Sequence, residues 1–452
     1  MNRLRLLSVT ALAVVATATG SAPAHAAWGP PQVLAAPAAE QLAATGNAEQ
    51  AELFAWKVTT RRRVRTATQT GFASFVRARM RRANGSLGAA RAISSAKELV
   101  ANPAVALDSA GNATVVWVQS GRTIRIVGAH RRTGGRFGRP FVIGRSTAFS
   151  DARPALTVGP DGAIVVVWNG GRRVQVARRT AARCAAGRPR GCFGGAQSFT
   201  RGTDHAIAMS RGGSAFVVWA ASVGRGGAAG TALRMAIAPR GLRFGFPRAI
   251  SSAGNVSQPS VAVAPNGDAI VAWRASLPAG GEQNADAPIV SAVRASSGII
   301  SASQVVSELP GSGPQVRAND QGEAILVWNQ RNPTPENPDG PEVAGSLRPA
   351  GASAFEAPFL FSPAGAAAGS ASLAIDDDGT AVAGYTASLT GGYRPPPAAF
   401  TRSMTSGRAT FATPESLGED FSGAFVFSAG SLVTAASAGS GGRTLIRDRI
   451  AG

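Results

Sequence analysis

The stretch Pro103-Ala-Val-Ala-Leu-Asp-Ser-Ala-Gly-Asn-Ala-Thr-Val-Val-Trp117 reads as two apolar runs around a turn, with a glycine six residues ahead of a tryptophan. The frame returns as Gly162 to Trp168, Gly213 to Trp219, Gly267 to Trp273 and Gly322 to Trp328. It returns again as Gly379 to Tyr385, and as Gly430 to Ala436 with alanine in the aromatic place. Turns such as Pro160-Asp161-Gly162 and Pro265-Asn266-Gly267 suit a tight hairpin, because Gly accepts positive φ and Asp or Asn bonds its own backbone. The run Ile164-Val165-Val166-Val167-Trp168 is continuous and β-branched, which predicts a strand covered on both faces.

Two further strands follow each tryptophan. The third alternates, as in Arg173-Val174-Gln175-Val176-Ala177-Arg178 and Val76-Arg77-Ala78-Arg79-Met80-Arg81, so Arg77, Arg79 and Arg81 are expected on a wet face. The fourth carries Phe-x-x-Pro: Phe137 to Pro140, Phe244 to Pro247, Phe355 to Pro358 and Phe411 to Pro414. A proline there suits an outermost strand, and Pro103, Pro154, Pro259 and Pro314 are expected at the starts of innermost ones. Four antiparallel strands per repeat, with aromatic positions 51 to 57 residues apart from Trp117 onward, predict an all-β fold, a β-propeller. Counting Trp56 as a divergent first copy gives eight blades, with seven as the alternative. The last repeat lacks its fourth-strand signature, and Trp28-Gly-Pro-Pro-Gln-Val-Leu34 supplies it from the other end of the chain. The N-terminal strand is therefore expected to complete the last blade and remove a free edge.

Arg3 and Arg5, an apolar stretch from Leu6 to Ala16 and Ala24-His25-Ala26 predict a secretory signal cleaved after Ala26. Residues 27–452 then form one propeller domain, exported and with no transmembrane anchor, since no later apolar run approaches the ~20 residues of a span. Cys184 and Cys192, the only cysteines, are expected to pair as a disulfide in an exported chain, contributing roughly 2–3 kcal/mol less any strain. Neither a metal nor another cofactor is called for: His130, expected in solvent, and His205 lack partners at ligand or triad spacing. Asp376-Asp377-Asp378-Gly379 reads as a hairpin turn rather than a calcium loop, and Asp268 and Glu323 as exposed positions after turns.

The charge is uneven. Residues 27–250 carry 33 Arg and Lys against 8 Asp and Glu, a net of +25, whereas residues 251–452 carry 11 against 17, a net of −6. In propellers generally, the connections from second to third strand share a face with those between blades, and binding sites collect there. Those connections hold Arg61, Arg62, Arg63 and Arg65 in blade one and Arg172 and Arg173 in blade three. They also hold Arg331 in blade six, and Tyr393 and Arg394 in blade seven. The planar guanidinium fork suits phosphate and carboxylate, so one reading is a non-catalytic binder of a polyanion: an acidic glycan, a wall polymer or nucleic acid. The plainer reading is a solvated Arg-rich surface. A third is a structural disc whose partner is another envelope protein, favoured by the opposed charge of its halves.

The repeat pattern over the whole mature chain resembles that of secreted bacterial propellers grouped loosely with sialidase-like and WD40-like proteins. The sialidase Asp-box, Ser-x-Asp-x-Gly-x-x-Trp, has its tryptophan three residues after glycine, whereas the interval here is six. The resemblance implies, as the enzymatic alternative, a glycosidase with an arginine cluster, a tyrosine nucleophile and an acid. The only tyrosines are Tyr385, in the repeat's core position, and Tyr393, whose Tyr393-Arg394-Pro395 is faintly similar to an Arg-x-Pro element.

Overall fold

The computed structural model describes residues 28–450 apart from 37–38, 67–68, 181–191, 225–229, 253, 277–286, 333–339, 364–365, 377–378, 389–397, 405–411, 419–420, 422–424, 430 and 440–442. The expected signal segment therefore lies outside the described residues. Eight four-stranded antiparallel sheets account for every strand, each built from consecutive strands except one. These are the blades of an eight-bladed β-propeller: residues 40–92, 99–146, 155–198, 202–249, 255–307, 311–360 and 367–416, with blade eight from both ends of the chain. In blade eight, Gln32–Ala35 is the outermost strand beside Arg443–Ile450, pairing Gln32 with Ile446 and Val33 with Leu445. The Gly29 amide extends this pairing by donating to the Asp448 carbonyl at 2.8 Å.

The second strand of each blade is the buried one, as its composition requires. Trp56, Trp117, Trp168, Trp219, Trp273, Trp328 and Tyr385 are fully buried between neighbouring blades, and Ala436 takes the same place in blade eight. The hairpin frame is uniform. The residue at its head donates its amide to the carbonyl four residues on, as from Asp108 to Asn112, Asn319 to Glu323 and Asp376 to Thr380. A left-handed residue closes the loop three residues after the head: Gly111, Gly162, Gly213, Gly267, Gly322 and Gly379, with Gln50 (φ 59°) in blade one. Asp376 Oδ1 accepts the Thr380 amide at 2.8 Å, so this carboxylate caps the turn.

Several features depart from expectation. Pro103, Pro259 and Pro314 lie inside the innermost strands, because Leu99–Leu107, Asn255–Val263 and Gly311–Ala318 begin several residues earlier. Each proline sits on a bulge, where the ladder needs no N–H from it. The residue before it is left-handed: Asn102 at φ 50°, Gln258 at 51° and Gly313 at 61°, matched by Gln41 at 49° and Ser370 at 58°. These bulges tie blade to blade. Gln41 Oε1 accepts the Asn102 amide, Asp204 Oδ2 the Gln258 amide and Gln258 Oε1 the Gly313 amide, at 2.7–3.0 Å.

The second departure concerns the alternating arginines of blade one. Arg79 is half-buried and donates to the carbonyls of Val33 and Leu34 in blade eight; Arg402 does the same from blade seven to Leu360 and Phe361 in blade six. Arg81 is 4 % exposed and pairs with Asp448 of blade eight (Nη1 to Oδ1, 2.8 Å) and with Glu52 (3.3 Å). Asp268 is likewise buried, 3.6 Å from Arg348, and not exposed. His130 is not solvated either: Nδ1 lies 2.9 Å from Thr114 Oγ1 and Nε2 3.1 Å from Arg179. Burial, reinforced by Arg179, lowers its pKa to about 4, so the ring is neutral.

Candidate functional site

Antiparallel order puts the second-to-third connections and the blade-to-blade connections on one face of the disc, here the loop face. In blade one this connection is a projecting hairpin. Its second strand continues past Trp56 to Arg65 and its third begins at Thr70, whereas the second strand of blade two stops at Ser120. The ladder is irregular between Thr59 and Arg63, leaving Arg61 and Arg62 on the bulge. Arg63 stands opposite Phe72, with its Cζ 5.6 Å from the ring centroid, a cation–π distance, and Phe72 is itself 47 % exposed. The hairpin base is seated on blade two, where Ser120 Oγ donates to Thr66 Oγ1 at 3.1 Å.

Arg61, Arg62, Arg63 and Arg65 are all exposed. Blade two adds Arg122 in the tight turn Gly121–Thr123, also exposed, which sequence reasoning did not single out. In blade three the Gly170 amide donates to the Arg173 carbonyl at 2.9 Å and the Gly171 amide to Asn169 Oδ1 at 2.8 Å. That turn holds Arg172 and Arg173 outward. Three consecutive blades thus carry one arc of arginines. The guanidinium groups of Arg61, Arg62, Arg65, Arg122, Arg172 and Arg173 make no hydrogen bond or ion pair among the described residues. The carboxylates nearby are engaged: Glu40 with Lys57 (3.0 Å) and Thr59, Glu98 with Arg125 and with Gln119 (2.7 Å). Lys57 and Thr59 draw the Glu40 carboxyl below its usual range against the opposing effect of burial.

Arg331 is on the same face but apart from the arc, in blade six, where it borders a hollow of about 410 Å³ with Arg274, Ser312 and Asn329. Tyr393 and Arg394 lie outside the described residues. Tyr385 is fully buried and stacked on Phe400 (6.0 Å, 21°), and burial raises its hydroxyl pKa to about 12. It has no access to a substrate. Cys192, at φ 64°, is not a free thiol, and Cys184 lies outside the described residues.

One further feature borders the arc. Between the outer parts of blades three and four runs a trough of about 590 Å³, lined by Arg172, Arg173, Arg201, Ser198, Thr200 and Phe246 among others. The Phe-x-x-Pro signature explains its aromatic wall. Phe244, the recurring phenylalanine, is buried, while Phe246 takes the place held elsewhere by Arg139, Ala357 and Thr413 and is 98 % exposed. That variable position was the sequence's signal for an outward side chain.

No protein-family model matches the chain, and no curated protein does. Solved structures do resemble it. An ulvan lyase of polysaccharide lyase family PL25 is 11 % identical over 78 % of this chain and 94 % of its own, with a TM-score of 0.48. A protein of unknown function from Dyadobacter fermentans is 14 % identical over 66 % and 93 %, at 0.41. The NanB sialidase of Streptococcus pneumoniae is 7 % identical over 79 % and 66 %, at 0.39. Two of these three neighbours are thus a polysaccharide lyase and a sialidase; the eight-bladed propeller itself stands on the strand pairings above.

Proposed function

We propose that the protein is an exported, non-catalytic binding propeller that holds an acidic polymer against the loop face of blades one to three. The observation that carries this reading is the arc of exposed guanidinium groups that have no partner among the described residues, beside carboxylates that already have theirs. Arginines left unpaired are available to bond two oxygens of a carboxylate, sulfate or phosphate at once. The net charge of +25 over residues 27–250 adds long-range attraction. Export is supported by Arg3, Arg5 and the apolar run before Ala26, and a Cys184–Cys192 disulfide by the absence of a free thiol at Cys192. Among the described residues no helix is long and apolar enough to cross a membrane.

Binding of dextran sulfate and polygalacturonate, followed by calorimetry across a salt series, tests this. Each neutralised contact steepens the dependence on salt, so a site using several arginines loses at least about tenfold in affinity from low to physiological salt. A variant with Arg61, Arg62, Arg63 and Arg65 changed to Ala is expected to bind more weakly and with a shallower slope. Binding indifferent to salt, or unchanged in that variant, overturns the reading.

A further inference from the structure

The trough between blades three and four differs from the arc in offering an aromatic surface beside its charges. Its floor is rigid: Phe199 stacks on the buried Trp219 (4.9 Å, 15°) and meets Phe244 edge-on. Its two walls are tied together, since Gln197 Nε2 of blade three donates to the Phe244 carbonyl of blade four at 2.8 Å. Gly245 is anchored to the Ile237 carbonyl at 2.9 Å and Pro247 fixes the following backbone, so Phe246 is held outward by its neighbours and covered by nothing. Among the described residues no acidic side chain lines the trough, and Arg172, Arg173 and Arg201 open onto it without ion-pair partners there.

We propose that this trough is a saccharide subsite for an acidic polysaccharide. Phe246 is the platform for the apolar face of a pyranose ring, the three arginines take the ring's anionic substituents, and Ser198 and Thr200 meet its hydroxyls. The proposal deepens the polyanion reading and rests on it. A lone phenyl ring backed by hydroxyl groups fits a sugar better than single-stranded nucleic acid, which needs a series of rings to stack successive bases. The anionic group is a carboxylate or a sulfate ester, and the two probes separate these.

The experiment compares wild type, Phe246→Ala, Phe246→Trp and Arg201→Ala in the mature protein. Each is titrated with polygalacturonate, dextran sulfate, neutral dextran and oligo-deoxythymidine. Phe246 is solvent-exposed, so its replacement leaves folding intact, which thermal denaturation verifies. Phe246→Ala is expected to weaken binding of the preferred polysaccharide about three- to tenfold, the worth of one aromatic contact, with the salt slope unchanged because no charge is lost. Phe246→Trp restores it. Arg201→Ala weakens binding about tenfold and makes the slope shallower. If Phe246→Ala binds both acidic polysaccharides as wild type does, the subsite is refuted while the polyanion reading stands. If wild type binds neither, that reading fails and takes the subsite with it. A loss confined to oligo-deoxythymidine reassigns the trough to nucleic acid.

Discussion

Tyr385 stands where five other repeats have tryptophan in the same frame, and its hydroxyl finds no hydrogen-bond partner among the described residues. Trp168 solves the same problem by donating to the Arg145 carbonyl at 3.0 Å. A buried hydroxyl without a partner costs roughly 1–3 kcal/mol of desolvation, so Tyr385→Phe is expected to raise stability by about 1 kcal/mol. A fall in the urea midpoint of that variant would reveal a bond the hydroxyl makes. Single residues were also where the sequence was hardest to read. Arg77, Arg79 and Arg81 share one alternation, yet Arg77 lies along Phe75, Arg79 clasps blade eight and Arg81 is buried. What separates them is Asp448, a partner 367 positions away, and no local pattern carries that information. The carboxylate of Asp268 was misread for the same reason, because Arg348 comes from the next blade.

Elements were far more legible, since a strand's period and a hairpin's glycine are local properties. Six left-handed turn glycines and the buried aromatic column follow directly from the spacing of Gly and Trp, and the count of eight rested on accepting Trp56 without its glycine. The bulges were not legible: a proline marks both a strand's start and its bulge, and only pairing with the second strand distinguishes them. The arc was half legible, with Arg61 to Arg65 and Arg172 to Arg173 named and Arg122 passed over. The closing strand gives the sharpest prediction at this scale. Deleting residues 28–35 removes Leu34 from the core, strips Arg79 of its two acceptors in blade eight and bares the edge of Arg443–Ile450. The truncated protein is expected to melt at least several degrees lower and to self-associate through the open edge. A synthetic peptide of residues 28–36 should reverse both effects in sedimentation and melting. Unaltered melting would mean that the ring does not depend on this strand.

At the scale of the whole molecule, the seam between blades one and eight joins residues from the two ends of the chain, and it is charged. Arg81 faces two carboxylates there, Glu52 and Asp448, and Thr434 Oγ1 donates to Glu52. Burial, against the pull of Thr434 and Arg81, raises the Glu52 pKa from 4.5 to about 7. A carboxyl that holds its proton more tightly when folded stabilises the ring fully below its unfolded pKa and loses that contribution as pH rises through about 7. The neutral histidines His130 and His205, with pKa values lowered to about 4, act oppositely and favour the fold as pH rises. The difference between wild type and Glu52→Gln isolates the seam. Wild type should lose on the order of a few kcal/mol relative to the variant between about pH 5 and pH 8. Parallel melting profiles for the two proteins would exclude Glu52 as the cause. The antiparallel match of Gly29 with Asp448 has a practical consequence as well. Both ends of the described chain depart from the side of the disc opposite the arginines, so a tether fused at either end would mount the protein with that basic arc turned toward the medium. Force applied between the two tethers would peel this strand pair open bond by bond.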